Sequence, residues 1–122
     1  LDLAIQQLCL KDSLEMTEED RAQILAACQA SPHQQILITH GTDTMAETAA
    51  YLLAAHPNKT IVLTGAMIPL TISGSDGLFN LGAALMAVQY LPIGVHIAMN
   101  GRVFAGDNVT KNRALGVFEE LH

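Results

Sequence analysis

The 122 residues suffice for one domain of ordinary size and are too few for two. Half of them are apolar and 15% are charged, which supports a buried core and excludes a disordered chain. The net charge is −6, the bases Lys11, Arg21, Lys59, Arg102, Lys111 and Arg113 are scattered, and there is no Trp, so a nucleic-acid footprint is excluded.

In chain order, the sequence opens on Leu1 and not on Met. Residues 1–10 carry Asp2, Gln6 and Gln7 and lack the basic start of a signal peptide. We therefore expect residues 1–122 to be a single α/β domain that lacks an N-terminal stretch. Cys9 and Cys28 match no metal-ligand spacing. Cys28 falls in an apolar helical pattern and reads as a buried free thiol, with a disulfide or a reactive thiol as the alternatives. Low cysteine content and the lack of a signal point to a cytoplasmic setting.

Thr17-Glu18-Glu19-Asp20 is a helix start, with Thr17 as the cap and the acids facing the positive end of the dipole. That helix turns Ile24, Leu25 and Cys28 toward a core and stops at Ser31-Pro32. Gln35–Thr39 is a continuous β-branched run, as expected of a strand buried on both faces. Residues 44–56 read as an Ala-rich helix, and Thr60–Thr64 as a second buried strand. A loop rich in Gly, Ser and Pro covers residues 65–77, and a helix is predicted over 78–90 from the spacing of Leu78, Leu81, Leu85 and Val88. Gly94–Met99 is a third strand, and Asn100-Gly101 signals a type I′ turn into a short return over Arg102–Ala105. The longest apolar run, residues 49–55, has seven members, far short of the roughly 20 that span a bilayer.

Strands alternating with helices imply parallel pairing and a sheet covered on both faces. Sites in such sheets form outside the carboxyl ends of the strands. This selects residues 39–44, residues 64–77 and the segment 106–113, which we expect to be a loop. The first holds three threonines, His40 and Asp43 around Gly41. Capping the next helix is one use for Thr42, Asp43 or Thr44, and His40 reads as structural rather than as a base. The second opens Thr64-Gly65-Ala66-Met67 and has neither a dinucleotide nor a triphosphate fingerprint. Its Ser73, Ser75, Asp76 and Gly77 read as turn chemistry. The third carries Lys111 and Arg113. If the fold brings Lys111 beside Asp43 and a threonine hydroxyl, the three can pass a proton to or from a nucleophile.

At these residues the sequence resembles the bacterial-type L-asparaginases. The segments that carry the resemblance are His40-Gly41-Thr42-Asp43-Thr44-Met45-x-Glu47-Thr48-Ala49, Thr64-Gly65-Ala66-Met67, Ser75-Asp76-Gly77-x-Phe79-Asn80-Leu81 and Asn108-Val109-Thr110-Lys111. The resemblance runs from about residue 12 to residue 118. The resemblance implies a three-layer αβα domain of the asparaginase N-terminal type, with a mostly parallel, flavodoxin-like sheet whose first strand is missing here. It implies hydrolysis of the asparagine side-chain amide to aspartate and ammonia through a threonine acyl-enzyme, with no metal or cofactor, in a homo-oligomer, here expected to be a dimer. By the matching motifs, Thr42, Asp43 and Lys111 are the catalytic group. Ser13, Gly41, Asp43 and Ala66 line the substrate, with Ser13 on its carboxylate and Asp43 on its α-amino group.

The sequence departs from the family in three ways. It has no Thr-Gly-Gly-Thr run, which in the family carries the first nucleophilic threonine, and it ends before the family's smaller second domain. Leu14 follows Ser13 where the family has a polar residue, so hydrogen bonding to free asparagine is weakened there. The rival expectation is a non-catalytic binding protein or partner subunit for acidic or amide amino acids. A flavodoxin-like nucleotide binder has only the fold class behind it.

Overall fold

A computed structural model of the chain describes residues 3–6, 8 and 12–122; Cys9 and Lys11 lie outside them. A 3-10 turn, Ser13–Glu15, precedes the first helix, α1 (Glu18–Ala30). The Thr17 hydroxyl accepts from the Asp20 backbone N–H and the Asp20 carboxylate accepts from that of Thr17, so each residue satisfies an amide of the helix start. The chain then runs through β1 (Gln35–Thr39), α2 (Met45–Ala54), β2 (Thr60–Thr64), α3 (Gly77–Val88), β3 (Gly94–Met99) and β4 (Arg102–Ala105). It finishes in a small hairpin of β5 (Thr110–Asn112) and β6 (Val117–Glu119).

The main sheet has the order β1-β2-β3-β4. β1, β2 and β3 are parallel and in simple register, Gln35 opposite Thr60 and Thr60 opposite Gly94. β4 returns antiparallel, so the sheet is mixed. Because alternate residues of a strand face opposite sides, Ile61 and Leu63 of β2 meet Ile24, Cys28, Met45, Ala49 and Leu52 from α1 and α2. Val62 between them meets Ala84 and Val88 of α3 on the other side. This is the three-layer α/β architecture expected from the alternation of elements. Every residue of β2 is buried. β1 differs from expectation: its three central residues are only half-buried, because among the described strands it pairs on one side alone.

Two helices are shorter than their patterns predict. α2 ends at Ala54 because His56 enters the left-handed region (φ 50°) just before Pro57. α3 ends at Val88, and the amides of Gln89 and Tyr90 close a tighter turn onto Met86 and Ala87. Asn100 (φ 55°) and Gly101 (φ 79°) are both left-handed, as a type I′ turn requires. The segment 106–113, read as a loop, is a correction: it contains β5. Thr110-Lys111-Asn112 has no apolar alternation to announce a strand. It is held by its partner β6 and by Val109 and Phe118, which are buried in the main core. Cys28 is a buried free thiol whose pKa burial pushes up against the opposing charge of Lys59. Among the described residues no helix is long and apolar enough to cross a membrane.

Candidate active site

The carboxyl ends of β1 and β2 are drawn close together. The His40 backbone N–H donates to the Thr64 carbonyl at 2.9 Å. A Cβ on Gly65 would lie 2.2 Å from the His40 carbonyl oxygen, so only glycine fits there. The chain leaving β1 then turns through Gly41, Thr42, Asp43 and Thr44 into α2. A Cβ on Gly41 would fall 2.8 Å from Cβ of Ser13, which presses this turn against the 3-10 segment.

The hydroxyls of this turn are not spent on capping α2. Thr44 occupies the cap position without a side-chain cap bond. Its hydroxyl instead donates to the Ser13 carbonyl at 2.7 Å, while its N–H donates to the Ser13 hydroxyl at 3.2 Å. Ser13 itself is 1% exposed. Thr42, also buried, accepts at Oγ1 a hydrogen bond of 2.8 Å from Lys111 Nζ. The same Nζ donates to Asp43 Oδ1 at 2.7 Å. Residues 68 and 69 positions apart in sequence are thus joined at one amine. The hairpin of β5 and β6 makes this possible by carrying Lys111 back over the end of β1.

The Lys111 side chain is 15% exposed and that of Asp43 is 30% exposed, so the pair is shielded on most sides without being sealed. The hydrogen bond from Lys111 holds the Asp43 carboxyl below the usual carboxylate range, with further help from the charges of Lys111 and Arg113 against a smaller opposing effect of burial. Arg113, 63% exposed, stands with Nε 3.7 Å from Asp43 Oδ1 and donates to its carbonyl at 3.4 Å.

A cavity of about 490 Å³ opens beside the turn, with Asp12, Gly41, Gly65, Ala66, Leu70 and Leu81 among its lining. Of the residues singled out from sequence, Gly41 and Ala66 are in its wall. Thr42, Asp43 and Lys111 are not among its lining residues, and Ser13 lies buried behind Gly41. Among the described residues no three His, Cys, Asp or Glu side chains are placed to hold a metal ion.

Asp76 was read as turn chemistry, but it organises the whole second loop. Its carboxylate accepts from the backbone N–H groups of Met67 and Ile68, both at 3.0 Å, and from the Asn80 amide at 2.8 Å. Asn80, fully buried, also donates to the Gly65 carbonyl at 2.9 Å and accepts from the Asn100 N–H at 2.9 Å. Burial pushes the Asp76 carboxyl up, but these donors together outweigh it and leave the pKa below the ordinary value. Spacing could have signalled this pair, since positions 76 and 80 share one face of the α3 start.

A family model described as "Asparaginase, N-terminal" matches residues 1–118. The chain belongs to the asparaginase family. It is 38% identical over 112 residues to L-asparaginase 1 of Escherichia coli (strain K12), an alignment covering 88% of this chain and 33% of that protein. Among solved asparaginase structures, the thermostable L-asparaginase from Thermococcus kodakarensis superposes with a TM-score of 0.83 at 33% identity, over 90% of this chain and 35% of that one. A probable cytoplasmic L-asparaginase from Campylobacter jejuni does so with a TM-score of 0.87 at 34% identity, over 98% and 40%. The chain therefore spans about a third of the length of the curated asparaginase it matches.

Proposed function

We propose that the chain forms the α/β unit of an amidohydrolase that converts the side-chain amide of asparagine, or of a related small amide, to a carboxylate and ammonia. The carrying observation is the single amine of Lys111 within 2.8 Å of the Thr42 hydroxyl and 2.7 Å of the Asp43 carboxylate. A threonine hydroxyl attacks an amide only when a partner takes its proton. In this reading Lys111 acts from its neutral form: the Thr42 oxygen attacks the amide carbon and its proton passes to the unprotonated Lys111 amine. Asp43 stabilises the resulting ammonium, which then protonates the departing nitrogen, so that ammonia leaves and an acyl-enzyme remains. Water attacks the ester, releases the carboxylate and returns the proton to Thr42. In this reading backbone amides at the strand ends stabilise the oxygen on which charge develops.

In this reading Gly41, Asp43 and Ala66 bind the substrate, Gly41 and Ala66 from the cavity wall, while Ser13, buried behind Gly41, supports the turn. Residues 1–122 act as one asparaginase-type unit in a cytoplasmic homo-oligomer. Supporting this are a relative named as a probable cytoplasmic L-asparaginase and an uncharged α3 whose Leu78, Phe79 and Met86 are exposed. The second reading, a binding protein without turnover, is favoured by Leu14, 63% exposed next to Ser13 and unable to hydrogen-bond a ligand. The test is ammonia release by the full gene product from asparagine, glutamine and small amides, with Thr42→Ala as control. Release that Thr42→Ala abolishes supports the enzyme. Binding of asparagine without release supports the rival.

A further inference from the structure

One half-buried ionisable group beside the turn has no part in that mechanism. His40 leaves β1 and stands immediately before Gly41, and both of its ring nitrogens are engaged. Nδ1 lies 2.6 Å from the Gly41 carbonyl oxygen, and Nε2 lies 2.8 Å from Oγ1 of Thr48 on α2. Thr48 is fully buried, and its Oγ1 also accepts from Nε of Arg21 at 3.0 Å. Arg21, on α1, is itself 5% exposed, with Glu18 and Glu47 each 3.6 Å from its outer nitrogens.

These contacts assign the hydrogens. A carbonyl oxygen only accepts, so the proton of the ring sits on Nδ1 and is donated to Gly41. Arg21 only donates, so Thr48 accepts from it and is free to turn its own hydrogen toward Nε2. The chain then reads in one direction, from Arg21 to Thr48 to His40 to the Gly41 carbonyl, with every partner satisfied and the imidazole neutral. Burial and the charge of Arg21 both act against a second ring proton. The pKa of His40 lies below its ordinary value accordingly, against the opposing pull of the Gly41 carbonyl.

We infer that His40 is a positioning residue for the Thr42–Asp43–Lys111 site, fixing the peptide between Gly41 and Thr42 through its Nδ1–H. The peptide bond is planar and trans, so anchoring the Gly41 carbonyl also fixes the direction of the Thr42 N–H. It thereby limits where Oγ1 of Thr42 can meet Lys111. Ser13 leaves no room for a side chain at Gly41, so the turn runs close against it. The inference rests on the amidohydrolase reading for its kinetic test but has a spectroscopic test that does not.

Two substitutions separate the ring's two contacts. In His40→Asn the amide nitrogen takes the place of Nδ1, which keeps the bond to Gly41 and loses that to Thr48. In His40→Gln the amide oxygen takes the place of Nε2, which keeps an acceptor for the Thr48 hydroxyl, and the bond to Gly41 is lost. Both variants of the full gene product are assayed for ammonia release from asparagine and for thermal unfolding. We expect similar lowering of Tm in both. We expect kcat within about threefold of the parent for His40→Asn and a loss of roughly tenfold to a hundredfold for His40→Gln, the scale of a small misplacement of reacting groups. Equal kcat in the two variants overturns the inference. If the parent releases no ammonia, or if His40→Gln does not fold, nitrogen NMR of the histidine rings in the parent decides. A neutral His40 protonated on Nδ1 upholds the inference, and a proton on Nε2 overturns it. Absence of release by the parent counts against the amidohydrolase reading alone.

Discussion

The molecule holds two aspartates at the carboxyl ends of neighbouring strands, and it treats them oppositely. Asp76 is surrounded by donors that belong to its own framework, two backbone N–H groups and the Asn80 amide. Asp43 is met by a flexible ammonium brought from a different sheet. The first arrangement sets the course of a loop and leaves nothing to exchange. The second leaves a transferable proton beside a hydroxyl, in a pair that is mostly shielded from water. A carboxylate with a depressed pKa is therefore not by itself a mark of chemistry, since both are depressed. The partner's capacity to give up or accept a proton separates the carboxylate proposed to be reactive from the architectural one.

The sharpest way to break this contrast is to remove the amine. Lys111→Met is expected to lower ammonia release by roughly 10²- to 10⁴-fold, the range for loss of a general acid–base group, with little change in Tm. A variant that keeps more than a tenth of the activity would dissolve the distinction. Gly65→Ala comes next. Its new Cβ would sit 2.2 Å from the backbone oxygen of His40. We expect a stability loss of about 3 kcal/mol in denaturant titration, the upper end for overpacking that backbone must absorb.

Asp76→Ala should cost about 2–3 kcal/mol of stability by leaving backbone donors and the buried Asn80 amide short of an acceptor. Whatever folded protein remains should still place Lys111 on Thr42. Acid provides a subtler probe. Because the folded-state pKa of Asp43 is lowered, its contribution to stability is complete above the unfolded carboxylate value of about 3.9 and is lost as pH falls through the lower folded value. The stability difference between the parent and Asp43→Asn should stay constant from pH 7 to about pH 5 and shrink only below about pH 4. A difference that fades near pH 6 would contradict the Lys111 bond as its source. The smallest effect belongs to Arg113→Ala, expected to change stability by less than about 0.5 kcal/mol because the guanidinium is largely solvated.

Much of this was legible in the sequence. The alternating pattern placed α1 and the first three strands, and Asn100-Gly101 announced its turn. The motif residues Thr42, Asp43 and Lys111 converge as the proton-shuttle argument required. What escaped has physical reasons. β5 is three polar residues whose strand character comes from β6 and from the anchors Val109 and Phe118, neither of which leaves a periodic trace. The half-burial of β1 depends on its neighbours and not on its own apolar run. The role of Asp76 rests on backbone groups, which have no sequence signature, and that of His40 on Thr48 and Arg21, eight and nineteen positions away.

The small sheet of β5 and β6 has one more consequence, for the order in which motion can take the site apart. β2 is buried throughout, and its amides will exchange with solvent only when the whole domain opens. Among the described strands β5 and β6 pair only with each other, and they are fastened to the core through Val109 and Phe118. Opening of the hairpin, which has to withdraw Phe118 from the core, would carry Lys111 away while Thr42 and Asp43 stay on their turn. The ammonium that bonds Thr42 and Asp43 is then also the latch of the hairpin. A ligand that strengthens its hold on Asp43 would register first as slowed hydrogen exchange in residues 110–119.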